Sequence, residues 1–152
     1  MRHQARAYVL ARSSLVLRDL DLLERIPGVM VGFSVSTDSD EVGRAYEPRA
    51  APISVRIEAL RTMRRAGLRT VAVIQPILPM DPVRLADRLA EVCTSVRVDR
   101  YLAADVGDTP LRAATPGAPP PYSPAEESRV YDTLLRELRA RDVNLWLTHV
   151  PP

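Results

Sequence analysis

The sequence predicts an α/β fold, either a partial (β/α) barrel or an open parallel sheet of about five strands with flanking helices. Short apolar runs alternate with segments whose apolar residues recur at helical spacing, which is typical of βαβ units. The runs show little apolar/polar alternation, as expected for parallel strands buried on both faces. A chain of 152 residues with 46% hydrophobic content is long enough for one domain with its own core.

The first part of the chain predicts two strands with a helix between them. Residues 5–11 (ARAYVLA) form the first strand, and either of the two serines that follow can cap a helix over 15–25. A Pro-Gly pair ends that helix. The next strand, 29–38 (VMVGFSVSTD), is apolar until its carboxyl end, where polar side chains begin. A short helical turn is expected near Glu41.

The middle of the chain predicts a helix, a strand and a second helix. Pro52 in the first turn and Gly67 just past the end delimit the first of these helices. Its core stripe consists of Ile53, Ile57, Leu60 and Met63. Residues 69–75 form the strand, because the proline that follows cannot donate to a sheet. Asp81 then caps another helix, with Pro82 at its first position.

The last part predicts two strands, a long loop and a helix. Residues 95–99 form a short strand, and a loop rich in Pro, Ala and Gly occupies 103–122. Ser123 and Glu126 have the spacing of a capping box, which begins a helix that ends near residue 141. A fifth strand is expected over 144–149.

Polar side chains follow each predicted strand. In a parallel sheet the carboxyl ends of the strands lie at one edge, which is where such folds bind ligands. We therefore interpret this edge as a ligand-binding face, although each residue taken singly also fits a solvated strand end. The polar residues at these ends are Arg12, Ser13, Ser34, Ser36, Thr37, Asp38, Gln75, Asp99, Arg100, Thr148 and His149.

Composition limits the classes of function. All 21 basic residues are arginine, spread along predicted helices, and the net charge is only +2, so charge alone does not indicate a nucleic-acid interface. Cys93 is the only cysteine, which excludes an intramolecular disulfide and a Cys-x-x-Cys metal site. We expect it to be a packed small residue. The sequence has no run of 18 apolar residues and no signal-peptide pattern, so we expect no membrane association and a cytoplasmic location.

Five segments together resemble radical S-adenosylmethionine proteins, in the branch related to spore photoproduct lyase and often labelled DNA repair photolyases. They are LVLRDLDLL (15–23), FSVSTD (33–38), YEPRAAPISVRIEAL (46–60), AGLRTVAVIQPILPMDP (66–82) and VRVDR (96–100). The resemblance covers roughly residues 7–102. It rests on the combination of these segments, since each of them alone is unspecific.

The resemblance implies a barrel that cleaves S-adenosylmethionine reductively on a [4Fe-4S] cluster held by three clustered cysteines. It implies that this chain starts near the third barrel strand and lacks the cluster-binding part, because Cys93 cannot replace three thiolates. Arg12 falls where the family has a lysine that contacts the carboxylate of S-adenosylmethionine. Ser34 matches a serine near the amino-acid part of that cofactor, and Ser13 and Ser36 are the neighbouring hydroxyls assigned to the same face.

We therefore interpret the chain as a single domain, 1–152, that forms the C-terminal part of a radical S-adenosylmethionine-type barrel and is inactive alone. The expected partners are a missing N-terminal half or further copies of the chain, with nucleic acid implied by the family. One alternative is a non-enzymatic α/β module that binds a small anion or a partner protein at the strand ends. Another is a hydrolase using Asp38 or Asp99 with His149, for which the sequence has no G-x-S-x-G motif.

Overall fold

Five parallel strands form one sheet in the order β1-β2-β3-β4-β5. The computed structural model describes residues 7–99 and 116–146. The strands are β1 (Tyr8–Ala11), β2 (Met30–Ser34), β3 (Arg69–Ile74), β4 (Ser95–Val98) and β5 (Asn144–Leu145). Within the described residues β1 and β5 each pair with one strand, so the sheet is open. The predicted α/β fold with about five parallel strands is confirmed.

The helices follow the strands as the sequence predicts, with one difference. They are α1 (Leu20–Leu23), α2 (Asp40–Tyr46), α3 (Ile53–Arg65), α4 (Pro82–Val92) and α5 (Pro124–Ala140). The single helix expected over 15–25 is instead a 3-10 helix, Ser14–Asp19, followed by the one turn of α1. The reason is the spacing of three between Leu17, Leu20 and Leu23, which all pack on the core and which suits three residues per turn.

Four predicted helix boundaries are confirmed. Ser13 caps the 3-10 helix by accepting from the backbone N–H of residue 15, and Asp81 accepts from two backbone N–H groups at the start of α4. Ser123 and Glu126 form both hydrogen bonds of the capping box of α5. Gly67 follows α3 with φ +82°, a left-handed conformation that glycine adopts without strain.

The helices pack on one face of the sheet. Val31 and Phe33 of β2 point into the large core that contains the apolar residues of α3, α4 and α5. The other face carries a separate cluster of strand side chains: Met30, Val71, Val73 and Trp146, with Tyr8 against them. The strands follow one another in consecutive order, and α1, α3, α4 and α5 all pack on the same side of the sheet, as in a segment of a (β/α) barrel.

Strands β2, β3 and β4 end earlier than predicted. β2 ends at Ser34 rather than residue 38, because the backbone of 36–38 turns toward the loop before α4. Several predicted features lie outside the described residues: 5–6 of the first strand, Arg100, loop residues 103–115, and 147–149 of the fifth strand, which include Thr148 and His149. Among the described helices, none combines the length and the apolar content needed to cross a membrane.

Candidate functional site at the carboxyl ends of β1 and β2

A fully buried arginine lies at the carboxyl end of β2. Arg56, on α3, is 1% exposed. Its Nε donates to the main-chain oxygen of Ala51 at 2.7 Å, and its Nη1 donates to the main-chain oxygen of Ser34 at 2.9 Å. Nη1 also lies 2.7 Å from Oε2 of Glu47. Arg56 therefore holds α3 and the segment before it against the end of β2.

Glu47 extends this cluster to the end of β1. Its Oε1 lies 3.2 Å from Nη1 of Arg12, whose side chain is 60% exposed. The backbone N–H of Ala51 also donates to the main-chain oxygen of Arg12 at 3.2 Å. Oε2 of Glu47 is buried and has no well-aligned hydrogen-bond donor among the described residues, so its contact with Arg56 is an ion pair. The carboxylate thus lies between one exposed and one buried guanidinium.

Ser34 ends β2 with a buried hydroxyl that lacks a partner. The residue is 3% exposed, and its Oγ makes no hydrogen bond within the part of the chain that the structure describes. By strand alternation it shares a face with Met30 and Gly32, opposite the helices. A buried hydroxyl without a partner costs about 1–3 kcal/mol. A bound ligand that supplies the missing hydrogen bond would remove that cost.

The next two polar residues after β2 are buried and bonded within the protein. Oγ of Ser36 donates to the main-chain oxygen of Gln75 at 3.3 Å, and Oγ1 of Thr37 donates to that of Pro79 at 2.7 Å. Both Ser36 and Thr37 are fully buried. They connect the end of β2 to the loop between β3 and α4, and they are not solvated strand ends.

Asp38 organises the start of α4. Its Oδ1 accepts from the backbone N–H of Asp81 at 3.0 Å, and its Oδ2 pairs with Arg84. Its main-chain oxygen accepts from Nη1 of Arg88 at 2.8 Å. The carboxylate is therefore already occupied by contacts within the protein. His149, its suggested partner in a hydrolase, lies outside the described residues.

Aromatic and charged side chains lie together at β4 and β5, on the face of the sheet opposite the helices. Nε of Arg97 lies 2.5 Å from Oδ2 of Asp99, and the guanidinium carbon lies 5.2 Å from the ring centre of Trp146. The ring of Tyr8 packs edge-on against Trp146 at 5.4 Å. Burial raises the pKa of the Tyr8 phenol, and the nearby charge of Arg97 offsets part of that shift. Asp99 is thus engaged by Arg97.

An open pocket of about 420 Å³ lies beside the pair formed by Arg12 and Glu47. It is lined by Arg12, Ser13, Tyr46, Glu47, Pro48, Arg49 and Ala50. The hydroxyl of Tyr46 donates to the main-chain oxygen of Pro119 at 2.5 Å, which fixes one wall. Arg12, Glu47 and Arg56 form the buried cluster described above, and the pocket shares Arg12 and Glu47 with it.

Cys93 is a buried, packed thiol at the end of α4, as expected. Burial raises its pKa to about 12, and a main-chain hydrogen bond from Ala72 and the charge of Arg64 offset only part of that rise. Within residues 7–99 and 116–146 no three His, Cys, Asp or Glu side chains group as a metal site would require.

The structure places the four predicted cofactor residues in different roles. Arg12 and Ser34 are connected through the buried cluster, whereas Ser13 caps the 3-10 helix and Ser36 bonds to the β3–α4 loop. Sequence reasoning missed Arg56 and its partner. The signal was present, because Arg56 stands three residues after the buried Ile53, at a core-facing position of the helical stripe.

No family model matches the chain. It is 33% identical over 76 residues to an uncharacterized protein of Methanocaldococcus jannaschii, a match that covers 50% of this chain and 29% of that protein. It is 38% identical over 74 residues to the uncharacterized protein ORF301 of Acidianus two-tailed virus, covering 48% of this chain and 25% of that protein. The chain thus spans less than a third of these curated relatives.

Proposed function

We propose that this chain is the C-terminal part of a radical S-adenosylmethionine-type barrel, which contributes cofactor contacts but no cluster ligands. The observation that carries the proposal is the buried, unpartnered hydroxyl of Ser34 at the end of β2. Consecutive strand order with helices on one face supports it, because a barrel segment has that arrangement. The resemblance of the five sequence segments supplies the family.

The residues present fit the amino-acid part of S-adenosylmethionine. The guanidinium of Arg12 is 60% exposed and suits a carboxylate, while Oγ of Ser34 can accept from an ammonium group. The register pairs Ala11 with Phe33, so Arg12, which directly follows β1, is next to Ser34, which ends β2. Bound S-adenosylmethionine would supply the sulfonium group on which the family's chemistry depends.

The residues present do not fit a [4Fe-4S] cluster. Such a cluster needs several thiolates, and the chain has one cysteine. That thiol, Cys93, lies in the core between sheet and helices and has a pKa of about 12. The cluster would therefore be held by another polypeptide segment, such as an N-terminal half, and this chain alone would cleave no S-adenosylmethionine.

Calorimetric titration with S-adenosylmethionine tests the proposal, with Ser34→Ala as the probe and Ser36→Ala as its matched control. We expect weak binding to the parent protein and a loss of about tenfold in Ser34→Ala, the size of one hydrogen bond to a charged group. Ser36→Ala should retain binding, since its hydroxyl is already bonded to Gln75. Absence of binding at millimolar cofactor, or equal affinity of the parent and Ser34→Ala, would contradict the proposal.

A further inference from the structure

We propose that the pocket beside β1 binds the phosphate group of a small phosphate ester. Its volume of about 420 Å³ lies in the range of small-molecule sites, roughly 300–1,000 Å³, and leaves room for more than the phosphate itself. Arg49 and Tyr46 line this pocket and have no part in the cofactor contacts proposed above. Arg12 is shared with the carboxylate contact proposed above, so Arg49 is the residue that distinguishes the phosphate site from the cofactor contacts.

The charges around the pocket favour a dianion. Arg12 and Arg49 line it together with one carboxylate, that of Glu47. Arg56 compensates this carboxylate from the buried side at 2.7 Å, so the three arginines and the one carboxylate at the pocket leave an excess of two positive charges. Arg49 has no ion-pair partner among the residues that the structure describes. A phosphate monoester carries about −1.5 to −2 charges at neutral pH, which matches this excess better than a carboxylate does.

The pocket is held in shape before any ligand arrives. Glu47 fixes the guanidinium of Arg12 at 3.2 Å, and the backbone of Ala51 fixes the main chain of the same residue. The hydroxyl of Tyr46 is bonded to Pro119, so the aromatic lining is anchored from the segment before α5. Planar guanidinium groups bind phosphate oxygens in pairs, and a preorganised site loses less entropy on binding.

A small ester fits better than a nucleic-acid backbone. Arg12 and Arg49 line one pocket instead of following a groove, whereas proteins that bind polynucleotides track many phosphates along a basic surface. The test therefore compares four probes by ligand-observed NMR and calorimetry: a nucleoside monophosphate, the same nucleoside without phosphate, inorganic phosphate and a single-stranded DNA oligonucleotide.

The two variants are Arg49→Ala and Arg44→Ala. Arg44 is an exposed arginine of α2 that does not line the pocket, so it controls for loss of surface charge. We expect the monophosphate and inorganic phosphate to bind and the nucleoside not to bind. Arg49→Ala should weaken binding about tenfold to a hundredfold, the effect of losing hydrogen bonds to a charged group, and Arg44→Ala should change it less than twofold.

The opposite results would overturn the proposal. Equal binding of the nucleoside and its monophosphate would show that the phosphate is not recognised. Equal effects of the two variants would show general charge attraction without a site. Binding of the oligonucleotide alone, or of no probe at millimolar concentration, would also reject a small phosphate ester. The Ser34→Ala titration with S-adenosylmethionine does not involve Arg49, so failure of one proposal is distinguishable from failure of the other.

Discussion

Arg56 and Ser34 are joined by a hydrogen bond of 2.9 Å from a fully buried guanidinium to the carbonyl oxygen that ends β2. The same guanidinium neutralises Glu47. Arg56→Met would leave that carboxylate, only 11% exposed, with Arg12 as its remaining partner. We expect Arg56→Met to lower the free energy of unfolding by about 3 kcal/mol, as for other broken buried pairs, measured by urea denaturation.

Arg61→Met is the matched control on the same helix. Arg61 is 31% exposed and pairs with Glu58 and Glu91, which are both 62% exposed. Surface pairs of this kind contribute less than about 1 kcal/mol. If Arg56→Met were no more destabilising than Arg61→Met, the buried cluster would not be what stabilises the end of β2.

Removing the hydroxyl should affect the free energy of unfolding differently at Ser34 and at Ser36. Ser34→Ala deletes a buried oxygen without a partner, so we expect stability to stay the same or to rise by up to about 1 kcal/mol. Ser36→Ala deletes a hydrogen bond to Gln75 and should cost about 1 kcal/mol. Thermal and urea denaturation of both variants measures this. A destabilised Ser34→Ala would mean that the hydroxyl already has a structural partner.

The fold could be predicted largely from local signals, whereas the site could not. Strand runs, the caps at Ser13, Asp81 and Ser123, and Gly67 each depend on residues close together in sequence, and the structure confirms them. One local prediction was wrong, because the apolar pattern indicated a single α-helix over 15–25. The structure has a 3-10 helix there, which agrees with the spacing of three between Leu17, Leu20 and Leu23.

The site depends on contacts between residues far apart in sequence. The polar residues at the strand ends predicted one ligand-binding face. The hydroxyls of Ser36 and Thr37 instead donate hydrogen bonds to main-chain oxygens about 40 positions away, so they are not available to a ligand. Ser34 differs from them only in what surrounds its hydroxyl, which no local pattern encodes. Arg56 was detectable as an arginine in an apolar stripe, but its partner Glu47 was not, because the loop between α2 and α3 sets that contact.

Cys93 should not react with thiol reagents in the folded protein. It is 5% exposed, and burial raises its pKa to about 12, so almost no thiolate is present at pH 8. We expect less than a tenth of the protein to be labelled by a disulfide reagent in minutes at pH 8, and complete labelling in urea. Rapid labelling without denaturant would mean that the end of α4 opens readily.

Asp40 should link stability to pH through Ser54. Burial acts to raise the pKa of Asp40, but hydrogen bonds from the hydroxyl and the backbone N–H of Ser54, at 2.6 and 2.8 Å, lower it together with the charge of Arg88 and the backbone N–H of Ile53, and the net pKa is lowered. A carboxyl with a lowered pKa stabilises the folded state above its ordinary pKa of about 4, and that contribution is lost as the pH falls. Ser54→Ala should therefore be less stable than the parent at pH 7, with a smaller difference at pH 3. An equal difference at both values would contradict this assignment.

The free edge of the sheet at β1 should make the protein associate. Within the described residues β1 pairs only with β2, so the backbone groups on its other side are available to another strand. Exposed leucines lie on this strand and in the helical turn after it: Leu10, on β1, is 50% exposed, and Leu15 is 72% exposed. An unpaired edge next to apolar side chains recruits further chains. We therefore expect an oligomer, or a complex with another polypeptide that pairs with β1, instead of a monomer.

Size-exclusion chromatography with light scattering at micromolar concentration measures this association. Replacing Leu10 with Glu places charge on the edge strand itself without touching the buried core, and should shift the protein toward the 16.9 kDa monomer. Val83→Glu is the control, because Val83 is 42% exposed but lies on α4, away from β1. Equal effects of the edge and control variants would assign the association to general hydrophobicity. A monodisperse, cooperatively melting parent monomer would mean that the β1 edge is covered within the chain itself. An independent α/β module would then replace part of a larger barrel as the interpretation of this chain.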